Sequence, residues 1–337
     1  MRYYTLPKAE GIDDLTLAEG ETPRPKRGQV LVRMKAASLN YRDYMVVMGK
    51  YARGGVDPGL VPLSDGAGEV VEVGEDVTRV KVGDRVAGIF MQGWLGGEIE
   101  ASYGATALGG AIDGVLADYK LFDQEGLVHL PEHLSFEEGA SLPCAAVTAW
   151  NALYAGKTPL KSGDSVLLLG TGGVSVLALQ FAHAAGARVI QTSSSDDKLE
   201  RVRALGANET VNYRQHPDWE KEVKRLTDGR GVDYVVEVGG AGTLPHSIAS
   251  TRVGGSVSLI GVLTQGEIDP TLIMRSSVML RGIYVGSREM FEAMNRAIAF
   301  HGIKPVVDLT FDFENAKEAY RHIESQQHLG KVVIRID

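Results

Sequence analysis

The sequence has little cysteine, no long apolar run and no excess of positive charge. Cys144 is the single cysteine, so the chain can form no internal disulfide and no four-cysteine zinc lobe. No stretch reaches the roughly 18 consecutive apolar residues of a membrane span, and the N-terminal MRYYTLPKAE lacks the apolar core of a signal peptide. A formal net charge of -8 argues against nucleic acid or an anionic membrane as the main partner. These absences favour a small-molecule partner and a reducing cytoplasm.

Length and apolar content predict a two-domain protein of the α/β class. The 337 residues exceed one ordinary domain, and 44% of them are apolar, which is enough for sizeable cores. Strands and helices alternate between residues 165 and 284, and this alternation predicts a doubly wound parallel sheet. Short strands with glycine bends dominate the first part and predict a small β barrel, in which residues 63–74 carry the signal of a strand pair.

The sheet domain is predicted to span residues 143–287. Residues 288–337 do not continue its strand–helix rhythm, so we expect them to rejoin residues 1–142 in a discontinuous first domain. Residues 93–114 of that domain are glycine-rich and lack a clear polar–apolar period. They are either a flexible surface excursion or a lid or wall over a site, because long loops in compact domains are often functional.

A glycine turn between two predicted strands is the strongest ligand signal. GTGGVS occupies positions 170–175, directly after an apolar run and before a stretch of helix formers. Gly170 permits the turn, Gly172 lets a pyrophosphate approach the backbone, and the helix start at Gly173 and Val174 faces the anion. Ser175 replaces the usual third glycine or alanine but is similarly small. The pattern predicts a dinucleotide site; the alternative is a turn that binds nothing.

The residues after the second strand of this unit bear on which dinucleotide binds. NAD sites commonly hold the ribose hydroxyls with a carboxylate here, whereas this chain has Ser193 followed by Ser194. Asp196 and Asp197 come later, and we expect them to cap the next helix. Serine hydroxyls can donate to a 2′-phosphate and Lys198 can neutralise its charge, which favours NADPH. A solvated helix cation is the alternative interpretation of Lys198.

Four segments together resemble the medium-chain dehydrogenase/reductase superfamily. They are GAGEVVEVGEDVTRVKVGDRV at 66–86, GTGGVS at 170–175, LGA at 205–207 and HLGKVVIRI at 328–336. The resemblance covers nearly the whole chain. It implies a GroES-like β catalytic domain that is interrupted by a Rossmann domain, with the substrate in the cleft between them, and a homodimer.

The resemblance also bears on metal binding. Zinc alcohol dehydrogenases of this superfamily hold the catalytic metal with a cysteine, a histidine and a second cysteine, and the matching positions here are Asn40, Ser64 and Cys144. An amide and a hydroxyl are poor zinc ligands beside thiolate and imidazole. Asp65 alone could not restore a three-ligand site. We therefore expect no catalytic zinc and interpret Cys144 as a small buried residue.

Residues 40–43, NYRD, resemble the zinc-free branch of quinone oxidoreductases and related enoyl reductases. By that resemblance Asn40 lies beside the nicotinamide and the substrate. Asn40 and Tyr41 could donate a hydrogen bond to a substrate carbonyl, or Tyr41 could stack on a ring. Arg42 would be electrophilic or would hold an acidic substrate group. The alternative for Arg42 is a helix-start salt bridge with Asp43.

The same branch implies further contacts to the cofactor. A lysine on the helix after the second strand and a tyrosine after the third line the 2′-phosphate, and Lys198 and Tyr213 match them. Tyr213 is otherwise a half-buried strand residue. Lys331 resembles a residue that reaches back towards the cofactor, and a solvated strand lysine is the alternative. Four more positions match residues near the ribose or nicotinamide: Thr148, Gly239, Gly261 and Val262.

These observations favour a zinc-independent oxidoreductase that transfers a hydride from NADPH to a quinone or to a double bond conjugated to a carbonyl. The protein's share of such a reaction is positioning and stabilisation of the developing oxyanion. Two alternatives stay open: an NAD(P)-dependent alcohol dehydrogenase and a non-catalytic NADPH-binding protein.

Overall fold

A computed structural model describes residues 1–51, 55–261 and 263–337. The chain forms two compact units, one of Met1–Val147 with Gly286–Asp337 and the other of Thr148–Val285. No helix in the described ranges is both long and apolar enough to span a bilayer.

The strands and helices of the described residues are numbered in chain order. The strands are β1 (Arg2–Thr5), β2 (Thr16–Glu19), β3 (Gln29–Leu39), β4 (Asp65–Val73), β5 (Arg85–Gly88), β6 (Tyr119–Asp123), β7 (Leu127–His129), β8 (Ser165–Leu168), β9 (Arg188–Ser193), β10 (Glu209–Asn212), β11 (Val232–Glu237), β12 (Thr251–Leu259), β13 (Met279–Gly282), β14 (Val307–Asp312) and β15 (Lys331–Arg335). The α-helices are α1 (Tyr41–Val47), α2 (Phe136–Ala140), α3 (Val147–Tyr154), α4 (Gly173–Ala184), α5 (Asp196–Ala204), α6 (Trp219–Leu226), α7 (Leu244–Ser250), α8 (Pro270–Ser276), α9 (Arg288–His301) and α10 (Ala316–Ser325). A π-helical turn, Leu142–Ala146, precedes α3.

The first unit is built on a seven-stranded sheet in the order β14-β15-β3-β4-β5-β7, with β6 also paired to β3. β3 runs antiparallel to both β15 and β4, with Leu39 opposite Val332 and Ser38 opposite Asp65. This register brings the end of β3 beside the starts of β4 and β15. The residues that flank these three points can therefore meet although they are far apart in the sequence.

The predicted strand pair at residues 63–74 is wrong, because Asp65–Val73 forms one continuous strand. Its glycines allow close approach of neighbours and do not mark a turn. A Cβ at Gly66 would meet the Met34 side chain, and one at Gly68 would collide with the carbonyl of Arg33 on β3. Glycine inside a strand often reflects such crowding.

The second unit is a six-stranded sheet in the order β10-β9-β8-β11-β12-β13, and every neighbouring pair is parallel. The chain starts at the central β8, moves outwards to β10 and returns to β11, so the order reverses between β8 and β11. This is the doubly wound Rossmann topology, and the predicted α/β fold class is confirmed. Ligands in such sheets lie at the carboxyl ends of the strands near this reversal.

Two helices of the second unit, α7 and α8, were not predicted from the sequence. Each has a proline in its first turn, Pro245 and Pro270, where the missing N–H costs no hydrogen bond. The two prolines are visible in the sequence as a helix-start signal. We did not predict the helices because both are short and because glycines precede α7.

Residues 93–114 are anchored within the first unit. The Gln92 N–H donates to the Thr106 carbonyl at 3.1 Å, and the Leu108 N–H donates to the Phe90 carbonyl at 3.0 Å. Trp94 is buried, stacks on Tyr103, and accepts a 3.0 Å bond from the Arg288 N–H on its own carbonyl. The ends of the segment are thus fastened, which disfavours a free surface excursion; a lid or wall role stays a prediction.

Candidate functional site

The candidate catalytic residues of the first unit gather at the end of β3. Asn40 follows this strand directly and is the N-cap of α1, so the chain turns from strand to helix at this residue. The Asn40 N–H donates to the Asp43 carboxylate at 2.8 Å, which satisfies one of the free donors at the helix start. The backbone of Asn40 is therefore held on both sides, and its side chain projects from a fixed point.

Lys331, at the start of β15, binds the Asn40 side chain. Its Nζ donates to Asn40 Oδ1 at 2.6 Å and to the Leu39 carbonyl at 2.8 Å. The residue is only 2% exposed, so the interpretation as a solvated lysine is wrong. Asn40 Nδ2 is buried and has no hydrogen-bond acceptor among the described residues. The lysine therefore leaves the amide with one bound oxygen and one unused donor group.

Asp65 is the anion of this cluster and is fully buried. It accepts a 2.7 Å bond from Ser64 Oγ and a 3.0 Å bond from the Cys144 N–H. Its Oδ2 lies 4.0 Å from Lys331 Nζ. Sequence reasoning treated Asp65 only as a remnant of a metal site and did not connect it with Lys331.

The donor set does not fit a catalytic zinc. The Asn40 oxygen already accepts from an ammonium, the Ser64 hydroxyl is held by its bond to Asp65, and an amide and a neutral hydroxyl are poor zinc ligands. Burial and the nearby Asp65 raise the pKa of the half-buried Cys144 thiol, which disfavours the thiolate that metals bind. Within the described ranges, no group of three or more His, Cys, Asp or Glu side chains could hold a metal ion.

Arg42 is turned into the first unit, and its side chain is 8% exposed. The expected ion pair with Asp43 is present at 3.2 Å, and Arg42 NH1 also donates to the Leu108 carbonyl at 2.9 Å. The guanidinium lies over the rings of Tyr51 and Phe90, 4.7 and 4.8 Å from their centroids. The bond to Leu108 connects α1 to the glycine-rich segment 93–114. A direct role of Arg42 in substrate binding stays a prediction.

Asp43 has an unusual electrostatic environment. Complete burial raises the pKa of its carboxyl to about 6, even though the Arg42 guanidinium opposes that rise.

Tyr41, the first residue of α1, is half-buried and its ring packs at a tilt on Tyr44, with 5.8 Å between the centroids. Asn40 and Arg42 both have buried nitrogens without an acceptor among the described residues. The Arg42 guanidinium is already bound to Asp43 and Leu108, whereas the Asn40 amide is bound at its oxygen by Lys331.

The glycine turn of the second unit has the expected form. Gly170 has a left-handed φ of 68°, and Gly172 is the N-cap of α4, which begins at Gly173 and continues through Val174. A Cβ at Gly170 or Gly172 would meet nothing within 4 Å, so open space faces the turn. The Ser175 hydroxyl donates to the Leu169 carbonyl at 2.6 Å. The open space and the unpaired N–H groups of the helix start fit a pyrophosphate.

The expected capping by Asp196 and Asp197 is wrong, because Ser195 is the N-cap of α5 and accepts the Lys198 N–H at 3.4 Å. Asp196 instead accepts a 2.7 Å bond from Asn212 Nδ2, a contact between α5 and β10 that local sequence rules cannot predict. Ser193, the last residue of β9, is buried and accepts the Ser195 N–H on its hydroxyl at 3.3 Å.

Lys198 and Tyr213 lie on the elements that follow Ser193. The Tyr213 N–H donates to the Ser193 carbonyl at 3.1 Å, and its ring is 40% exposed. This exposure differs from the half-buried strand residue of the alternative interpretation. Ser194 and Lys198 are half-buried at the start of α5. Ser193 and Ser194, here called the serine edge, lie at the end of β9. Lys198 on α5 and Tyr213 after the neighbouring parallel strand β10 follow at the same carboxyl edge of the sheet as the glycine turn after β8.

The remaining predicted cofactor positions have mixed surroundings. The Gly239 N–H donates to Glu237 Oε1 at 2.6 Å. At Gly261 any larger residue is excluded, because a Cβ would collide with the backbone of residue 238. Thr148, at the start of α3, is buried. Val262 lies outside the described residues.

Sequence reasoning missed Glu237. This carboxylate is fully buried at the end of β11 and also accepts bonds from the Gly240 N–H at 3.0 Å and the Thr243 hydroxyl at 2.6 Å. Its signal was a single acidic residue inside the apolar run YVVEV, followed by two glycines. It shapes the loop at the carboxyl end of the central sheet.

Comparison with known proteins agrees with the Rossmann topology of the second unit and identifies the family of the chain. Family models described as an alcohol dehydrogenase GroES-like domain and a zinc-binding dehydrogenase match residues 26–132 and 173–299. A zinc-type alcohol dehydrogenase-like protein of Schizosaccharomyces pombe is 46% identical over 100% of this chain and 99% of its own length. The chain belongs to the medium-chain dehydrogenase/reductase superfamily, and the predicted resemblance is confirmed.

Two further relatives differ in the activity that their names give. The crystal structure of an NAD-dependent alcohol dehydrogenase is 34% identical, with a TM-score of 0.90 and full coverage of both chains. A 2-methylene-furan-3-one reductase of Solanum lycopersicum is 32% identical over 93% of this chain and 73% of that protein. The chain is thus an oxidoreductase of this superfamily, with relatives named for both kinds of reaction.

Proposed function

We propose that this protein is a zinc-independent, NADPH-dependent reductase whose acceptor is a quinone or a carbon–carbon double bond conjugated to a carbonyl. The observation that carries the proposal is the Asn40 side chain, whose Nδ2 group is buried and unused while its oxygen is bound by Lys331. An amide N–H at this point is a hydrogen-bond donor where the zinc enzymes of the superfamily have a metal ligand.

The chemistry of such acceptors suits a hydrogen-bond donor. When a quinone or a conjugated carbonyl accepts a hydride, negative charge develops on its oxygen. Preorganised N–H donors stabilise that charge most effectively in a site that excludes water. Asn40 supplies such a donor, and the half-buried Tyr41 is a second candidate from the same turn. NADPH, when bound, would supply the hydride.

The residues of the second unit support NADPH as the cofactor. The turn of Gly170, Gly172 and Gly173 would hold the pyrophosphate at the start of α4. No carboxylate stands at Ser193, and Asp196 is engaged with Asn212, so little opposes a 2′-phosphate at the end of β9. The hydroxyls of Ser193 and Ser194, the Lys198 ammonium and the Tyr213 ring would surround this phosphate, since phosphate is bound well by charged donors.

One finding favours a second function. The solved relative at 34% identity is named an NAD-dependent alcohol dehydrogenase, and the family model that matches residues 173–299 is described as a zinc-binding dehydrogenase. An alcohol dehydrogenase would need a group that polarises the alcohol oxygen and lowers its pKa. Since Lys331 and Asp65 already bind the polar atoms of the cluster, that group would have to come from elsewhere.

An acceptor screen tests the proposal. NADPH and NADH absorbance would be followed with a benzoquinone, an enal and an alkenone, and NADP⁺ and NAD⁺ reduction with primary and secondary alcohols. Bound zinc would be measured by elemental analysis on the same preparation. We expect oxidation of NADPH by at least one acceptor and less than about 0.1 zinc per chain. Alcohol oxidation with stoichiometric zinc would establish the second function, and NADPH binding with no turnover of any substrate would overturn both.

A further inference from the structure

The contacts of Lys331 point beyond the role that the superfamily suggests for it. Two acceptors, Asn40 Oδ1 at 2.6 Å and the Leu39 carbonyl at 2.8 Å, bind its ammonium in a buried position. A residue that reached for a cofactor phosphate would have to break both bonds. The observed geometry instead directs the charge into the polar cluster of Asn40, Ser64, Asp65 and Lys331, here called the β3-end cluster.

The charges of this cluster balance internally. Asp65 is fully buried, and Lys331 is its only ion-pair partner within 4.0 Å among the described residues. An isolated buried carboxylate is strongly disfavoured unless it is paired and hydrogen-bonded. Lys331 therefore supplies at this place a positive charge of the kind that a metal ion supplies in a zinc enzyme.

The ammonium also selects the orientation of the Asn40 amide. A carboxamide offers an acceptor oxygen on one side and a donor NH2 on the other, and an ammonium only donates. The flipped amide would place two donor groups against each other. The bond from Lys331 therefore requires the orientation in which Nδ2 points away from the lysine and is free to donate.

We propose that Lys331 is a positioning residue that acts as a fixed internal cation in place of a metal: it compensates Asp65 and holds the Asn40 amide with its Nδ2 ready to bind the acceptor oxygen. The part that concerns the acceptor rests on the proposed reductase function. The part that concerns the cation does not, and it can be tested separately.

The first experiment compares Lys331→Met, Asn40→Ala and the double variant by steady-state kinetics and by NADPH titration of protein fluorescence. We expect each single variant to lower kcat by about 10²-fold, the usual effect of losing one oxyanion donor, with the NADPH Kd changed less than about twofold. The double variant should lose no more than Asn40→Ala alone, because both changes remove the same interaction.

A matched control is Lys120→Met, which removes a half-buried lysine of the same unit that is bonded to the Asp113 carbonyl. Its kcat should equal that of the unaltered protein. Multiplicative losses in the double variant would show that Lys331 does not act through Asn40. A large loss of NADPH affinity in Lys331→Met, with kcat unchanged at saturating cofactor, would assign the lysine to the cofactor and overturn the proposal.

The second experiment needs no reductase activity. Asn40→Cys with Ser64→His creates, with Cys144, a cysteine–histidine–cysteine set, and the zinc content per chain is measured with and without Lys331→Met. If Lys331 fills the cation's place, the variant that keeps the lysine should bind little zinc, and the variant with methionine should bind close to one equivalent. Equal zinc contents would contradict the inference even if the reductase function is correct.

Stability gives a readout that does not depend on building a metal site. Lys331→Met leaves Asp65 buried without its counter-ion, so Tm should fall by about 5 °C or more. Lys331→Met with Asp65→Asn removes both charges and should recover at least half of that loss. No recovery in the double variant would show that the lysine does not compensate Asp65.

Discussion

The β3-end cluster and the glycine turn are both polar sites, but they are built in opposite ways. In the cluster, side chains bind one another: Lys331 holds Asn40, and Asp65 accepts from Ser64 and from the backbone at Cys144. At the turn, Gly170 and Gly172 present backbone to open space, with no atom within 4 Å of a Cβ placed on either. The first site is filled by its own groups, whereas the second leaves room for a ligand.

This difference predicts that folding stability depends mainly on the cluster and that cofactor affinity depends mainly on the glycine turn. Polar groups buried together are costly when any partner is removed, because the remaining groups stay unpaired in a low-dielectric environment. A backbone turn that faces open space contributes more to the binding of a ligand than to folding stability. Changes in the cluster should therefore act on folding stability, and changes at the turn and its serine edge should act on cofactor affinity.

The largest expected effect is that of Asp65→Ala. The change leaves Lys331 buried without its carboxylate and the Ser64 hydroxyl without its acceptor. The free energy of unfolding, measured by urea denaturation, should fall by about 3–5 kcal/mol. Arg27→Ala is the control, since its ion pair with Asp76 is exposed and should contribute less than about 1 kcal/mol. A loss below 1 kcal/mol at Asp65 would remove the contrast between the two sites.

A pH series on Asp43→Asn examines the carboxylate that accepts the Asn40 N–H next to this cluster. Burial raises the pKa of Asp43 from 3.8 to about 6, so the folded protein binds this proton more tightly than the unfolded chain does. The resulting stabilisation is complete below pH 3.8 and is lost as the pH rises through 6. The stability of the unaltered protein relative to Asp43→Asn should therefore fall by up to about 3 kcal/mol between pH 4 and pH 7.

The opposite slope would show that the Arg42 ion pair outweighs burial and that Asp43 is ionised throughout this range. A parallel series on Asp123→Asn controls for general effects of pH on the unit, because Asp123 lies in the same unit at an exposed position, where it accepts from the Glu125 N–H.

The two sites also differ in how far the sequence predicts them. The glycine turn was predictable because its signals are local in the sequence: an apolar run, closely spaced glycines and a run of helix formers. The contact between Lys331 and Asn40 spans 291 residues and exists only because β15 pairs antiparallel with β3. Sequence rules identified both residues as site candidates but could not predict that they bind each other.

The same distinction explains the error at α5. Local rules favour an aspartate as a helix cap, but the Asp196 carboxylate is bound by Asn212 on the neighbouring strand, and Ser195 takes the cap. Which partner Asp196 binds depends on the order of the strands, because that order places Asn212 beside it. Local sequence rules do not give the order of the strands, so they could not predict this contact.

At the serine edge, Lys198→Ala should weaken NADPH binding by about 10- to 100-fold, the range expected for one charge-assisted hydrogen bond. NADH binding should change less than about twofold, because it lacks the 2′-phosphate. Both constants would be measured by fluorescence titration. Lys221→Ala serves as the control, since Lys221 pairs with Asp218 on the exposed start of α6. An equal loss for both nucleotides would mean that Lys198 does not recognise the 2′-phosphate.

The smallest expected effect is the sharpest test of the contrast. Gly172 has φ -75° and ψ 178°, which alanine also adopts, and a Cβ there would meet no protein atom within 4 Å. Gly172→Ala should therefore leave the free energy of unfolding within about 0.5 kcal/mol of the original value. The added methyl group would nevertheless stand where a pyrophosphate must approach the backbone, and NADPH and NADH affinity should both fall on the order of tenfold, or about 1.4 kcal/mol.

The control for this variant is Gly104→Ala, at a glycine that also has open space around it but lies outside the turn. It should change neither stability nor affinity. If Gly172→Ala binds both nucleotides normally, the space above the turn is not the pyrophosphate site, and the dinucleotide must use another part of the sheet edge. If it unfolds the protein, the turn is not the permissive backbone element that its φ and ψ angles indicate, because a residue facing only solvent has no folded contacts to lose.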